Sequence, residues 1–249
     1  MAAAQGVMMA DVLLEVSGVT KRFGGFTALD NVDFAVRPGE RVGLIGPNGS
    51  GKSTLVNCIA GTLRTEEGSI RFEGRDICAY PAHRRIRLGL ARSFQIPKPF
   101  ASMSVLDNLC VPLLYAARRR GAHGPIVDEA THILEQVGLH EKADAMSGGL
   151  TQVDMRKLEL ARAMAAKPKL LISDEAMAGL SASEVDDILA LLLGLKERGV
   201  AVIMIEHVMR AVMKFSERIA VLVAGRKIAD GDPQAVVGNG EVVKAYLGE

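Results

Sequence analysis

A glycine-rich segment early in the chain constrains the fold more strongly than any other feature of the sequence. Residues 41–55 read RVGLIGPNGSGKSTL, in which an apolar run precedes a turn with three glycines. The turn fits the pattern G-x-x-x-x-G-K-[ST], and its flanks supply the strand before it and the helix after it that the pattern requires. Glycines let successive N–H groups converge on one anion, and a helix N-terminus adds unpaired donors and a positive dipole end. The segment therefore predicts a P-loop that binds the phosphates of a nucleoside triphosphate.

The side chains of this loop complete the predicted phosphate site. Lys52 supplies a compact positive charge for the β- and γ-phosphates, and the hydroxyl of Ser53 is placed to bind Mg²⁺. A plain turn between a strand and a helix is the alternative, which the flanking residues disfavour. We expect nucleotide contacts from Gly46, Pro47, Asn48, Gly49, Ser50, Gly51, Lys52, Ser53 and Thr54.

Composition and charge exclude several functional classes. The 249 residues include 30 Lys and Arg against 29 Asp and Glu, so global electrostatics give no reason to expect a nucleic-acid partner. No apolar run approaches the roughly 18 residues that span a bilayer, and the first residues lack the basic and apolar regions of a secretory signal. The three cysteines match neither a metal-binding spacing nor a disulfide framework. We therefore expect no signal peptide or transmembrane segment, and a reducing, cytoplasmic environment.

The apolar periodicity predicts an α/β core that is interrupted by helices. Strands are expected at 12–20, 32–36, 42–45, 69–72, 88–94, 170–173, 201–205, 219–223 and 226–229, and residues 75–77 follow a turn at Gly74. After the helix that opens at Lys52, further helices are expected at 105–120, 127–137, 152–166, 183–198 and 208–215, and a last one ends at Tyr246. The pattern predicts one domain, 1–249, with an all-helical subdomain at about 96–166 inserted in the core.

Two acidic residues follow the apolar strand predicted at 170–173. A buried parallel strand ends at the sheet edge where α/β proteins bind ligands, which places Asp174 and Glu175 beside the P-loop. Asp174 is suited to orient Mg²⁺ through its water shell, and Glu175 is suited to polarise the attacking water as general base. The alternative is a solvated acidic turn, which the upstream P-loop disfavours.

Two further polar residues are expected at the same site. His207 follows the apolar strand at 201–205 and lies where a sensor of the γ-phosphate is needed, although a lone histidine is more often structural. Gln95, at the junction of the core and the helical insertion, has the amide needed to bind Mg²⁺ and report its presence to the insertion. Taken alone, Gln95 is explained equally well without that role.

The order of these motifs resembles the ATPase subunits of ABC transporters. The P-loop, the junction glutamine, the segment LELARA (158–163), the acid pair and the strand-end histidine carry the resemblance, which covers about residues 12–248. The segments FQIPKPF, DEAMAGL, IEHVMRAV and VVKAYLGE extend it to the branched-chain (hydrophobic) amino acid uptake branch. The resemblance implies a P-loop NTPase of ABC type, with a mixed sheet and antiparallel N-terminal strands, that hydrolyses ATP with Mg²⁺. It also implies that Phe23 stacks on the adenine, although core packing explains a phenylalanine equally well.

The same resemblance implies partners and a location. Family members work as head-to-tail dimers of ATPase domains beneath two transmembrane permease subunits, fed by a periplasmic or extracellular solute-binding protein. The expected location is therefore the cytoplasmic face of the plasma membrane, as a peripheral subunit. We expect the permease to dock on Phe94, Pro97, Phe100, Met103 and Leu106. A soluble ABC-type ATPase of translation or DNA repair, and a small-molecule kinase, are the alternatives, although neither fused ATPase halves nor an acceptor-binding segment is evident.

One departure from the family pattern predicts asymmetry. The family places L-S-G-G-Q before the helix with LELARA, and the family spacing puts LTQVD (150–154) at that position. The run SGG at 147–149 lies too early, and Thr151 with Asp154 forms the better helix start, a T-x-x-D capping box. Both glycines are missing, so Thr151 remains as the expected contact to a partner's nucleotide. We expect a heterodimer with a second ATPase subunit whose signature is intact; a homodimer that relies on Thr151 and the helix dipole is the alternative.

Overall fold

The computed structural model describes residues 12–93, 97–120 and 126–247 of the chain. Its strands are β1 (Leu14–Phe23), β2 (Phe26–Val36), β3 (Arg41–Ile45), β4 (Glu67–Phe72), β5 (Arg75–Asp76), β6 (Leu90–Ser93), β7 (Leu170–Asp174), β8 (Ala201–Ile205), β9 (Arg218–Val223) and β10 (Arg226–Gly231). Its helices are α1 (Lys52–Ala60), α2 (Ala82–Leu88), α3 (Val105–Arg120), α4 (Ile126–Val137), α5 (Gln152–Ala165), α6 (Ala182–Gly194), α7 (Met209–Phe215), α8 (Pro233–Val237) and α9 (Gly240–Leu247). The predicted fold class, a mixed α/β core with antiparallel N-terminal strands and a helical subdomain, is confirmed.

Two sheets form the core. The smaller has the order β2-β1-β4-β5 with antiparallel pairs. The larger has the order β10-β9-β3-β8-β7-β6, in which β10 is antiparallel to β9 and the remaining pairs are parallel. β7 and β8 are buried at every position, as expected for parallel strands covered on both faces. The carboxyl ends of β3, β7 and β8 therefore meet at one edge of the sheet, and the predicted site residues follow these ends.

The P-loop helix is packed into the interior. Leu55, Val56 and Ile59 of α1 are fully buried and belong to one apolar cluster with residues of both sheets. Burying each such side chain stabilises the fold by about 1.5–3 kcal/mol. This packing fixes the direction of α1 and so fixes the position of its N-terminus at the sheet edge.

The helices α3, α4 and α5 share a separate apolar cluster. Leu109 of α3, Leu134 of α4 and Leu158 of α5 are fully buried in it. The buried residues of α4 recur at the three- and four-residue spacing that puts them on one helical face. α5 also packs against β6, so it joins this helical unit to the edge strand of the larger sheet. Over the described ranges, no helix combines the length and the apolar character needed to cross a membrane.

Four elements differ most clearly from the prediction. The strand expected at 88–94 is observed over Leu90–Ser93, with residue 94 outside the described residues, and it follows the unpredicted helix α2. Apolar periodicity does not predict α2, because the buried residue of this helix is Arg85 rather than an apolar residue. Nη1 of Arg85 donates to the carbonyl oxygens of Cys58 (2.6 Å) and Ile59 (2.8 Å) at the end of α1. β2 begins at Phe26 because its pairing with β1 continues as far as the turn between them. α8 was not expected, although Asp232 caps it and Pro233 opens it.

Candidate functional site

The loop between β3 and α1 requires glycine at two positions. Gly46 adopts φ 150°, and a Cβ there would lie 2.0 Å from the carbonyl oxygen of Leu222. Gly51 adopts φ 103°, and a Cβ there would lie 2.6 Å from the carbonyl oxygen of Ala28. Both the conformation and the space therefore exclude a side chain. Gly51 is also the N-cap of α1, and no described side chain caps this helix, which leaves its first N–H groups to an anion.

Lys52 is held inside the loop. Its Nζ donates hydrogen bonds to the carbonyl oxygens of Gly46 (2.7 Å) and Pro47 (3.0 Å). Burial lowers the pKa of the Lys52 ammonium, while the carboxylates of Glu175 and Asp174 act in the opposite direction. The ammonium therefore lies within the turn that the P-loop pattern assigns to phosphate, and it is held there by carbonyl groups of the loop itself.

Glu175 and His207 meet at the edge of the sheet. Nε2 of His207 and Oε1 of Glu175 lie 3.1 Å apart. Glu175 has a left-handed backbone with φ 49°, and its N–H donates to the carbonyl oxygen of Ile205 at the end of β8. That conformation is sparsely populated by residues with a Cβ and is common at functional sites. The structure thus brings together the residues predicted as general base and as γ-phosphate sensor.

A cleft of about 280 Å³ lies over the P-loop. Phe23 and Phe26, on the two sides of the turn between β1 and β2, line it and are 47% and 64% exposed. Exposed aromatic rings beside a phosphate site give a nucleotide base a surface on which to stack. Of the residues predicted for the site, the cleft wall contains Phe23, Asn48, Gly49, Ser50, Gly51, Lys52, Ser53, Thr54, Glu175 and His207.

Asp174 lies behind this wall at the buried end of β7. Its Oδ2 accepts a hydrogen bond from Nη2 of Arg92 at 2.5 Å. A serine hydroxyl in the cleft and a carboxylate behind it are oxygen donors of the kind that Mg²⁺ takes when phosphates and water complete its shell. The described part of the chain contains no group of three or more His, Cys, Asp or Glu that could hold a metal ion. The donor set therefore fits a Mg²⁺ ion that arrives with the nucleotide; Gln95, the third predicted ligand, lies outside the described residues.

Thr151 lies at the start of α5, outside the cleft wall. It is the N-cap of the helix: its Oγ1 accepts from the N–H of Asp154 (3.3 Å) and donates to Oδ2 of Asp154 (2.7 Å). Burial opposes ionisation of Asp154, but hydrogen bonds from Lys142 and Thr151 outweigh it and lower the pKa of the carboxyl. Ser147 belongs instead to a short 3₁₀ turn, where it is buried and donates to the carbonyl oxygen of Phe100 (2.9 Å). The helix therefore starts where the capping pattern predicts.

Sequence reasoning did not single out Glu206, Phe26 or Arg92. Glu206 is buried, and its Oε1 accepts from the N–H of Met177 at 2.8 Å, which ties the loop after Glu175 to the end of β8. Burial raises the pKa of Glu206 to about 7, against the effect of the Met177 N–H. A charged residue directly after an apolar strand is the signal that identifies Glu206, and the paired aromatics in KRFGGF identify Phe26. Arg92 has no such local signal.

Comparison with protein families gives two matches. Residues 29–178 match the family described as ABC transporter. Residues 226–249 match the family described as branched-chain amino acid ATP-binding cassette transporter. The first match contains the P-loop and the acid pair, and the second contains β10, α8 and α9.

Individual proteins and a solved structure agree with these matches. The chain is 39% identical to BraF of Pseudomonas aeruginosa, a high-affinity branched-chain amino acid transport ATP-binding protein, over 97% of this chain and 100% of that protein. It is 36% identical to LivG of Escherichia coli, which has the same description, with the same coverage. A crystal structure of the ADP conformation of an ATP-binding cassette of an ABC transporter is 33% identical, with a TM-score of 0.85, covering 96% of this chain and 99% of that one.

Proposed function

The chain belongs to the ABC transporter family and is an ATPase, and on that premise we propose that it energises an importer of branched-chain or related amino acids. The observation that carries the substrate class is the match of residues 226–249, which lie beyond the ATPase motifs. BraF and LivG are described as high-affinity branched-chain amino acid transport ATP-binding proteins, and the match with this chain covers the whole length of each. Val236 and Val242 of this segment pack in one cluster with Ile45, so the segment is built onto the P-loop strand.

The cleft supports a direct route for hydrolysis. Lys52 and the loop N–H groups bind the β- and γ-phosphates, while Phe23 and Phe26 stack on the adenine. Glu175 accepts a proton from a water molecule whose oxygen attacks the γ-phosphorus, and the bond to the β-phosphate oxygen breaks to give ADP and phosphate. His207, 3.1 Å from Glu175, holds that carboxylate and binds the γ-phosphate.

We propose that Ser53, Asp174 and Gln95 hold a Mg²⁺ ion that arrives with ATP. When bound, the ion neutralises charge on the phosphate oxygens. The position of Ser53 in the cleft wall and of Asp174 behind it supports this assignment. Gln95 is proposed from the family pattern.

A groove of about 450 Å³ between α2, α3 and α5 is the proposed dock for a permease subunit. Ile86, Phe100 and Tyr115 line it and are 40%, 43% and 43% exposed. An apolar groove that is open to solvent can receive the apolar side chains of a partner's helix. Of the residues predicted for this dock, Phe100 lines the groove, Leu106 packs against the helical cluster, Pro97 and Met103 are absent from the groove wall, and Phe94 lies outside the described residues.

The proposed assembly is a head-to-tail heterodimer with a second ATPase subunit, on the cytoplasmic face of the plasma membrane beneath two permease subunits. A solute-binding protein delivers the amino acid. The departure of LTQVD from the family signature supports a partner that differs from this chain, because a partner with an intact signature would complete the site that holds Lys52.

Reconstitution tests the proposal. The chain is co-expressed with candidate permease subunits, a second ATPase subunit and a solute-binding protein, and uptake of labelled leucine into proteoliposomes is measured with and without ATP. We expect ATP-dependent uptake that is lost when this chain is omitted. A chain that stays out of the membrane fraction and hydrolyses ATP equally fast with and without the permeases would support the soluble ABC-type ATPase instead.

A further inference from the structure

Arg92 connects the nucleotide site with the groove between α2, α3 and α5. It lies on β6, beside β7, and its side chain is 14% exposed. Its Nη2 donates to Oδ2 of Asp174 at 2.5 Å, and its Nη1 donates to Oδ1 of Asn57 on α1 at 2.6 Å. The same residue lines the groove. One guanidinium therefore joins the edge of the sheet, the P-loop helix and the groove wall.

The ion pair between Arg92 and Asp174 is largely buried, so its loss should have a large effect. The Asp174 side chain is 8% exposed, so solvent screens its charge weakly. Removing one partner of a buried ion pair leaves an uncompensated charge, which costs more than the pair itself contributes. Here the uncompensated charge would be a carboxylate close enough to act on the Lys52 ammonium, and a triphosphate bound by Lys52 carries charge of the same sign.

We propose that Arg92 is a positioning residue for the metal site, because it is the resident counter-charge that makes the Asp174 carboxylate compatible with a triphosphate before Mg²⁺ is bound. The second hydrogen bond, which Nη1 of Arg92 donates to Asn57, fixes the ion pair relative to α1. A planar guanidinium fork can hold two partners at once in this way, whereas the single ammonium of lysine holds them less well. When Mg²⁺ is present, its charge takes over the compensation. This inference rests on the proposed Mg²⁺–ATP site.

The test is the metal dependence of nucleotide binding rather than turnover. Binding of the non-hydrolysable analogue adenylyl imidodiphosphate to the full chain is measured by calorimetry in EDTA and in saturating Mg²⁺. We expect Arg92→Gln to weaken metal-free binding about tenfold and to change binding in Mg²⁺ by less than about twofold. The enhancement by Mg²⁺ therefore rises about tenfold relative to the unmodified chain. If the unmodified chain shows no enhancement by Mg²⁺, the proposed metal site fails, whatever Arg92 does.

A double-mutant cycle separates this role from a structural one. In an Asp174→Asn background no carboxylate needs compensation, so Arg92→Gln should change metal-free binding by less than about twofold. Equal losses in both backgrounds, or an unchanged enhancement by Mg²⁺, overturn the proposal. Arg87→Gln is the matched control, because Arg87 also lines the groove but its Nε donates to the hydroxyl of Tyr115 (2.7 Å).

A conservative variant covers the case in which Arg92→Gln does not fold. Arg92→Lys keeps the charge and loses the fork, so the enhancement by Mg²⁺ should rise by no more than about threefold. A rise of about tenfold in this variant, with a circular dichroism spectrum like that of the unmodified chain, would show that the charge of Arg92 is not what matters and overturns the proposal.

Discussion

The helices α1 and α5 both begin at positions that the family pattern assigns to a phosphate, but their N-termini are built differently. Gly51 precedes α1, and within the described residues its first turn carries neither a side-chain cap nor an acidic residue. Thr151 caps α5, and Asp154 lies in its first turn. The start of α1 therefore leaves its N–H groups and its positive dipole end to an anion, whereas α5 satisfies a donor with its own side chain and already carries a carboxylate in its first turn.

The difference concerns which nucleotide each end can serve. The α1 end supplies a complete phosphate loop to the nucleotide bound by this chain. The α5 end, offered to a partner's nucleotide, has Gln152 and Val153 in place of the family's glycines, and Nε2 of Gln152 is directed to the carbonyl oxygen of Ala178 at 3.3 Å. In a dimer with a partner that has an intact signature, the two nucleotide sites would therefore differ in activity, and the site that faces α5 of this chain would be the slower one.

The largest expected effect comes from removing the general base on each side in turn. Glu175→Gln should keep ATP binding and lower hydrolysis by the assembled complex by about 100-fold or more, because the site with this chain's Lys52 carries most of the turnover. The equivalent change in the partner should lower total hydrolysis by less than about twofold, since transition-state donors of the missing kind are worth about 10²–10³ in rate. Steady-state phosphate release from the two singly changed complexes measures the difference. Equal losses would remove the asymmetry.

Glu206 tests whether the loop after Glu175 is held by a single buried carboxyl. Its pKa is about 7 in the folded chain against an ordinary 4.5, so the folded state binds the proton more tightly. The stability from this group is fully present below about pH 4.5 and is lost as the pH rises to about 7, to a maximum of about 3 kcal/mol. Burial is the largest cause of the raised pKa of Glu206; the negative charge of Glu175 raises it further, and the positive charge of Arg156 lowers it.

Glu206→Gln removes the titration and keeps an oxygen acceptor for the Met177 N–H. Over the range from about pH 4.5 to pH 7, the free energy of unfolding of the variant should fall less than that of the unmodified chain. Urea unfolding at pH 5 and pH 8 provides the comparison. Parallel pH profiles would show that the carboxyl is not the group responsible.

Restoring the family pattern in α5 reverses the comparison. A variant with Gln152→Gly, Val153→Gly and Asp154→Gln exposes the N–H groups and removes the carboxylate from the first turn. The variant is combined with Glu175→Gln, so that the remaining hydrolysis comes from the partner's nucleotide, which faces α5. We expect this residual hydrolysis to rise about tenfold. The two glycines cost about 1 kcal/mol each in helix stability, so turnover is measured well below the melting temperature. Gln152→Ala with Val153→Ala, combined with the same changes at Asp154 and Glu175, is the control, because it shortens the side chains without freeing the backbone; an equal rise there would count against the role of glycine.

The sequence predicts the α1 end more fully than the residues that support it. Lys52 sits in a local pattern, and the sheet brings Glu175 and His207 together because buried strands end beside that pattern. Arg92 acts on a residue 82 positions away, and that pairing depends on the order of β6 and β7 in the sheet. The sequence does not predict α2 for a similar reason, because the hydrogen-bond partners of its buried Arg85 lie at the end of α1. Periodicity reports which face of an element is apolar, and it carries no information about a buried cation whose partners are distant in sequence.

The smallest expected effect concerns the cap of α5. In this structure the hydroxyl of Thr151 is used twice within the chain, as acceptor for the Asp154 N–H and as donor to the Asp154 carboxylate. Thr151→Ala should therefore destabilise the chain by about 1 kcal/mol, the usual cost of losing an N-cap, and lower the melting temperature by about 2–4 °C. Thr151→Ser keeps both hydrogen bonds and should melt within about 1 °C of the unmodified chain. Nucleotide affinity at the partner's P-loop is measured in parallel in the assembled complex. A loss of affinity in the alanine variant, with the serine variant unaffected, would show that the hydroxyl also serves the partner's nucleotide, and the two ends would then be less different than their caps indicate.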